Sequence, residues 1–389
     1  MFVDEIHSLV QKDTNSLSMS LTSSELKRYG RHLAMKEFSA IDQEKLKSAR
    51  MLVIGAGGLG CPALLYLTAA GVGTIGIVEF DNVDLSNLQR QVLYTQNDIG
   101  KSKLTSAIAH LQKINPNVNF EPHPYAITSK NARSTIGKYD IVIDGTDNFP
   151  TRYLINDACV LEGKPNVYGS VLRFEGQVSV FNYHHEDGLR GPNYRDLFPT
   201  PPPPRLVPNC AEAGVLGVLP GIIGSMQASE AIKIATGIGI PLVGRIWIFD
   251  ALSFESRTMK FKKNSDNQIT ELIDYEEFCG IVQSRNTLIT SPELLEKITN
   301  SKVRVVDVRE KNEYELDNIG AEHLPLSTIK IWIEDIDESI PIVMHCQTGK
   351  RSSQAMQMIL NEYDDLEIYN LKGGINAWRR DLGSVNLPN

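Results

Sequence analysis

At 389 residues, of which 42% are hydrophobic, the chain is long enough for two or three domains and a sizeable core. A formal net charge of −8 argues against a general nucleic-acid binder, and no apolar run is long enough to span a bilayer. The five cysteines, Cys61, Cys159, Cys210, Cys279 and Cys346, are odd in number and widely spaced. They suggest reduced thiols and a cytoplasmic setting rather than a disulfide framework.

Residues 1–20 are polar, lack a signal-peptide core and read as a leader. Residues 22–38 read as a helix with Thr22, Ser23 or Ser24 as N-cap, carrying Arg28, Tyr29, Arg31 and His32. Residues 51–54 are four apolar residues that predict a buried parallel strand. Gly55, Gly57, Gly58 and Gly60 follow and open onto a helix over 61–70 that ends at Gly71. Such a turn lets backbone N–H groups and a helix N-terminus approach a phosphate. A second strand, Thr74 to Phe80, carries Glu79 nineteen residues past Gly60. An acid there suits the ribose hydroxyls of a nucleotide.

Arg90 and Lys103 come next, the latter just after Gly100, Lys101 and Ser102. Two cations beside a glycine loop fit a triphosphate better than a nicotinamide dinucleotide, because they offset concentrated charge; a surface role for Lys101 and Lys103 stays open. A helix over 101–114 and a strand near Asn119–Tyr125 are predicted. Residues 139–148 then read as a buried strand running into polar residues, with Asp144 and Asp147 as candidate magnesium ligands. Further βα elements are expected over 151–181.

The glycine loop, Asn-Leu-Gln-Arg-Gln at 87–91, the Gly-x-x-Lys stretch and Thr-Asp-Asn at 146–148 resemble the MoeB/ThiF family, relatives of the ubiquitin-activating enzymes. The resemblance runs from about Glu25 to Lys262. It implies a Rossmann-like ATP-binding adenylation domain over 21–262. Such domains use Mg-ATP to adenylate the C-terminal glycine of a small ubiquitin-like sulfur carrier ending in Gly-Gly. Carried onto this sequence, Gly58 meets phosphate and Glu79 the ribose. Asn87, Arg90 and Lys103 contact the triphosphate, and Asp147 holds magnesium. Arg31 corresponds to an arginine that reaches the ATP site of the other protomer, which implies a homodimer. The family's usual acid at position 79 is Asp; Glu is one methylene longer and still reaches.

Residues 184–214, with the proline run Pro201–Pro204, read as a mobile crossover loop, followed by Cys210 within its end. The family has a cysteine at this position that in some members links to the carrier or its sulfur, so Cys210 is a candidate nucleophile; a spectator thiol is the other reading. Many members also hold a structural zinc with two Cys-x-x-Cys pairs. Those would fall near Asn193 and Asp196 and near Asn264–Gln268, where no cysteine stands, so no structural zinc is expected. The helix Pro220–Gly237 and the strand Arg245–Asp250 complete this part. The polar stretch 263–286 reads as a linker.

Residues 287–389 have an α/β pattern of their own. A strand over 303–309 leads to a short acidic stretch ending at Tyr314; a second strand, 341–346, ends in Cys346, and Gln347, Thr348, Gly349, Lys350, Arg351 and Ser352 form a loop that opens a helix. Loop N–H groups, two cations and a helix N-terminus favour thiolate over thiol and would cradle a persulfide. Asp307-Val-Arg309, the Cys346 loop and Leu371-Lys-Gly-Gly-Ile-Asn-Ala-Trp378 resemble a rhodanese domain, which moves sulfane sulfur through a persulfide on that cysteine. The whole chain thus reads as α/β, a Rossmann-like domain followed by a smaller rhodanese-like one. The fusion implies adenylation of the carrier and then sulfur transfer to form a thiocarboxylate, for molybdopterin synthesis or tRNA thiolation. The sulfur donor would be a cysteine desulfurase or thiosulfate, and no direct nucleic-acid or membrane contact is expected. Activation of a thiamine-pathway carrier, or a non-catalytic carrier-binding scaffold with an active rhodanese module, are the alternatives.

Overall fold

A computed structural model of the chain describes residues 21–202, 214–265, 267–279, 288–300, 302–333, 336–337, 339–360, 362–363 and 366–387. The chain divides into two compact units, Met1–Ile281 and Val282–Asn389. Cys210 and the end of the proline run lie outside the described residues.

The first unit is built on eight strands: β1 (Arg50–Ile54), β2 (Thr74–Val78), β3 (Asn119–His123), β4 (Ile141–Asp144), β5 (Asn166–Leu172), β6 (Glu175–Phe181), β7 (Arg245–Asp250) and β8 (Glu255–Lys260). Their order is β3-β2-β1-β4-β5-β6-β7-β8. Strands β3 through β5 pair in parallel, with Val53 opposite Ile77 on one side and Ile143 on the other. Met51 to Ile54 are all buried, as a strand covered on both faces requires. The order reverses between β1 and β4, so a crevice opens there at the carboxyl ends of the strands.

Helices α1 (Gly60–Ala70), α2 (Lys103–Ile114), α3 (Phe149–Leu161) and α4 (Val218–Thr236) supply the flanking layers. Helix α1 stops at Gly71, whose φ of 84° is a left-handed cap. Helix α3 starts where the Asn148 side chain accepts from Thr151 N–H, with Pro150 in the first turn. Helix α4 lies close to the glycine loop because Gly224 has no side chain; a Cβ there would stand 2.2 Å from the Leu59 carbonyl.

Four expectations change. The helix over 22–38 is broken into Ser23–Arg28 and Gly30–Leu33. Buried Tyr29 sits at the break, accepting from Asn115 through its hydroxyl, so tertiary packing overrides local propensity. Strands β5 to β8 form an antiparallel meander instead of further βα units. The β5–β6 turn is Arg173-Phe174, with Arg173 at φ 54° and no glycine to betray it. The described start of the crossover is built into the core: Tyr194 is buried among Tyr153, Tyr168 and Phe181.

The stretch read as a linker also packs on this unit where it is described. Tyr275 and Cys279 join the core, and the Tyr275 hydroxyl donates to Asp157. Asp157 in turn takes Arg195 in a paired contact, and Arg195 lies 4.4 Å from the Phe278 ring centre. At the next step Asp196 joins two distant segments. Its Oδ2 accepts from the N–H and side-chain amide of Asn193, and its Oδ1 from Asn264 N–H and the Asn267 amide. These are the positions where the family's zinc ligands would stand. The residues present do not fit that metal: they offer neither thiolate nor imidazole, and both Asp196 oxygens are taken by N–H groups.

The second unit is a five-stranded parallel sheet of β9 (Leu288–Ile289), β10 (Arg304–Asp307), β11 (Glu322–His323), β12 (Ile342–His345) and β13 (Ile368–Leu371). The order is β11-β10-β12-β13-β9. Helices α5 (Lys311–Leu316), α6 (Lys350–Leu360) and α7 (Gly374–Leu382) bear on its site. Trp378 anchors α7, fully buried with its indole N–H donating to Val385. Among the described residues no helix is long and apolar enough to cross a membrane.

Because Asp196 carries the tie between 193–196 and 264–267, Asp196→Ala should destabilise the first unit by about 2 kcal/mol, the usual cost of leaving such donors unpaired. Urea unfolding with and without a chelator checks this. A chelator-sensitive midpoint in the unsubstituted protein would mean that a metal makes the tie.

Candidate active sites

The first site lies in the crevice between β1 and β4. Gly55 has φ 89°, and a Cβ on Gly60 would stand 1.8 Å from the Gly55 carbonyl, so the turn is open only to glycine at both places. A Cβ on Gly145 would lie 2.9 Å from the Ile54 carbonyl. The segment after β4 therefore rests directly on the loop after β1, and its continuation carries Asp147.

Glu79, at the end of β2, is buried and ties this loop to its neighbour. Its Oε2 accepts from Ala56 N–H at 2.9 Å, while Oε1 accepts from Phe80 and Asp81 N–H. The Tyr94 hydroxyl donates to the Ala56 carbonyl at 2.8 Å. Loop carbonyl and loop N–H are thereby both fixed. Gly57 faces the Gln91 amide, and the Arg90 side chain passes over Gly58, its Cδ 3.6 Å from where a Cβ would be. The Arg90 guanidinium donates to the Ser86 carbonyl, and the Asn87 side chain accepts from Asp84 N–H. Lys103 is the first residue of α2; its side chain is 7% exposed and its Nζ lies 3.1 Å from Asp81.

Asp147 is exposed, whereas Asp144 is buried with one oxygen taken by Thr146. Burial pushes the Asp144 carboxyl above its ordinary range. Of the two, Asp147 has the character of a magnesium ligand: an exposed carboxylate that leaves room for phosphate oxygens and water. Arg31 is exposed on the short helix Gly30–Leu33. Asp81 and Gly145 escaped the sequence reading. An acid two residues past Glu79 was the available signal for the first.

The second site surrounds Cys346, which is 1% exposed at the end of β12. Its loop has its carbonyls drawn away from the sulfur. The Ile375 N–H holds the Cys346 carbonyl and the Asn376 N–H the Gln347 carbonyl. This close seat needs Gly374, at φ 61°, because a Cβ there would stand 2.2 Å from the Cys346 carbonyl. The N–H groups are left to face inward, and Gly349 N–H lies 3.2 Å from Sγ. Burial raises the Cys346 thiol, but the Ser352 hydroxyl and the Ser352, Thr348 and Gly349 N–H groups outweigh it and hold it below its ordinary value. Burial instead pushes Cys61 up to about 12 and Cys279 to about 11, and raises Cys159.

Of the two loop cations, Arg351 is clamped by Glu313 of α5 through two contacts of 2.6 Å, which hold the Glu313 carboxyl down at about 2. Lys350 is exposed. Under the loop, buried Arg309 pairs with Asp307 and donates to Gln347, whose amide continues to Asn376. His345 is fully buried, and that burial drives it down to about 4, so it is neutral near pH 7. Glu313 and Asn370 were not singled out from the sequence; nothing in their spacing separates them from ordinary helix and strand residues.

The chain matches the ThiF family over residues 29–270 and the Rhodanese-like domain over 290–381. It is 46% identical to a probable adenylyltransferase/sulfurtransferase MoeZ of Mycobacterium tuberculosis, covering 93% of this chain and 95% of that one. A sulfur carrier protein adenylyltransferase of Thermus thermophilus is 50% identical, covering 68% of this chain and all of the relative. The adenylyltransferase and sulfurtransferase MOCS3 of Drosophila willistoni is 38% identical over 96% of this chain and 87% of its own. Among solved structures, PaaA superposes with a TM-score of 0.54 at 23% identity, covering 67% of this chain and 83% of PaaA, a likeness of fold alone. On these grounds the chain belongs to the ThiF family and carries a rhodanese-like domain C-terminal to the ThiF region.

Proposed function

We propose that this chain adenylates the C-terminal glycine of a ubiquitin-like sulfur carrier with ATP and magnesium, and then converts that glycine to a thiocarboxylate with sulfur carried on Cys346. That it is an adenylyltransferase and sulfurtransferase rests on its relatives, which share nearly its full length. The observation that carries the finer reading is one chain holding both a cation-flanked glycine crevice and a cysteine whose thiol is held low.

In the first reaction a carboxylate oxygen of the carrier attacks the α-phosphorus of ATP and pyrophosphate leaves. Glycine-loop N–H groups at Gly57 and Gly58 receive phosphate, Glu79 the ribose, and Asn87, Arg90 and Lys103 the charge that builds on the leaving group. Asp147 would hold the magnesium ion, which when bound neutralises phosphate charge. Arg31 would serve the site of a second copy, making the protein a homodimer.

In the second reaction the terminal sulfur of a Cys346 persulfide attacks the acyl-adenylate and AMP leaves, giving an acyl disulfide. A thiolate then attacks the Cys346 sulfur, freeing the thiocarboxylate and leaving a disulfide for an external dithiol to reduce. Cys210 is this chain's candidate for that thiol. A cysteine desulfurase or thiosulfate would load the persulfide. A cytoplasmic place and a role in molybdopterin synthesis or tRNA thiolation agree with this chemistry; a thiamine-pathway carrier is the alternative.

ATP–pyrophosphate exchange tests the reading. Exchange should require a carrier ending in Gly-Gly and vanish in Asp147→Ala. It should fall about 100-fold or more in Lys103→Ala, as when one preorganised charge stabiliser is removed. Exchange absent with every carrier tried would leave a binding scaffold. Cys346→Ala should keep exchange and lose thiocarboxylate formation; loss of exchange as well would overturn the division between the two units. Mixing Arg31→Ala with Lys103→Ala chains should restore about a quarter of the exchange if each site takes one residue from each copy of a dimer. No restoration would place Arg31 in its own chain's site or outside both.

A further inference from the structure

Three loop carbonyls around Cys346 are held outward. Backbone N–H groups of α7 hold two of them. The third, that of Gly349, is held by a side chain: the Asn370 amide on β13 donates to it at 2.9 Å. The same amide accepts from the Ser352 hydroxyl at 2.7 Å. A carbonyl can only accept, so the NH2 of Asn370 must face Gly349, and its oxygen must face Ser352. Asn370 is 5% exposed and Ser352 fully buried, so water has little access to replace either bond.

Both partners of Asn370 also touch the sulfur. Gly349 N–H reaches Sγ at 3.2 Å and Ser352 Oγ at 3.4 Å. Gly349 has φ 94°, a conformation that glycine leaves as readily as it adopts, so nothing intrinsic to that residue keeps its N–H pointed inward. The Ser352 hydroxyl has one proton and two acceptors. Asn370 holds it at the shorter distance while the sulfur is neutral, and an anionic sulfur, the stronger acceptor, can take it.

We infer that Asn370 is a positioning residue for sulfur transfer, fastening the Gly349 carbonyl and the Ser352 oxygen with one amide so that the Gly349 N–H stays on the Cys346 sulfur and the Ser352 hydroxyl stays within reach of the anion. The inference rests on the reading of Cys346 as the persulfide carrier. Asn370 never touches the transferred atom; it acts through the loop. The charged and titratable groups around the sulfur are unchanged by its removal: Lys350 and Arg351 on the loop, Glu313 paired to Arg351 from α5, Asp307 and Arg309 beneath, and neutral His345 on β12. A change in sulfur ionisation on substituting Asn370 therefore reports hydrogen-bond geometry, not a lost charge.

The test uses the full-length protein and two variants, Asn370→Leu, which keeps much of the volume, and Asn370→Ala. The pH profile of iodoacetamide labelling at Cys346 is read by peptide mass spectrometry. Its midpoint should rise by about one pH unit in both variants, as expected when hydrogen bonds to a thiolate are loosened. With thiosulfate as probe donor and cyanide as acceptor, kcat should fall about tenfold while KM for thiosulfate changes less than about twofold, since the variants alter ionisation and not donor contacts. A wild-type labelling profile in either folded variant overturns the inference. A third variant, Asn370→Ser, replaces any that fails to fold by circular dichroism and is held to the same criterion. Cys346→Ser distinguishes the two failures: if it still transfers sulfur, the reading of Cys346 falls, whereas a wild-type profile at Asn370 with an inactive Cys346→Ser removes only the positioning role.

Discussion

The contact on which the first unit depends is the approach of three glycines. Gly55, Gly60 and Gly145 bring two loops and a helix start together with backbone on backbone, and any Cβ at Gly60 or Gly145 would meet a carbonyl. That approach places the ends of β1 and β4 side by side at the point where strand order reverses. Everything else in the site is arranged around it. Glu79 fixes the loop from the β2 side, Tyr94 fixes the Ala56 carbonyl, and the turn after β4 offers Asp147 outward while burying Asp144. A binding crevice here is a consequence of backbone packing before any side chain is considered.

The second unit reaches a similar electrostatic result by a different route. Its cysteine stands at the end of a parallel strand, and its loop N–H groups converge because other groups have taken the carbonyls. Gly374 permits the α7 N-terminus to come close enough to do so. The loop thus behaves as a concave set of uncharged donors, which favours an anion. That distinction matters because Arg351 is already neutralised by Glu313. The donors that lower the thiol are uncharged, and their effect is not screened as a surface charge would be.

Much of this was legible in the sequence where a residue type is forced. The glycines of the first loop, the apolar run of β1, Glu79 after β2 and the Cys346 loop each answer a local constraint, and each stands in the structure on the element expected of it. What was not legible depends on residues far apart in the chain. The break at Tyr29 is decided by Asn115, and the β5–β6 hairpin turns on Arg173 without a glycine signature. Asp196 looks like a helix-start residue until Asn264 and Asn267 arrive on its second oxygen. Asn370 is one polar residue in a strand until Gly349 and Ser352 are seen on either side of its amide. Local rules report where the backbone must go; they do not report which polar groups meet once it is there.

The cation of the first site has one further property. Lys103 is 7% exposed and is held by Asp81, whose side chain is 55% exposed. Taking an ammonium out of water is costly, and a counter-ion offsets that cost. Had that counter-ion been buried as well, removing it from the lysine would leave a second uncompensated charge in the interior. An exposed carboxylate avoids this, because water solvates Asp81 as soon as another anion takes the lysine. Under the proposed function, the pair keeps Lys103 oriented before ATP binds and would yield it at low cost to a phosphate. On that proposal the acid two residues past Glu79 belongs to the site as much as the cation it accompanies.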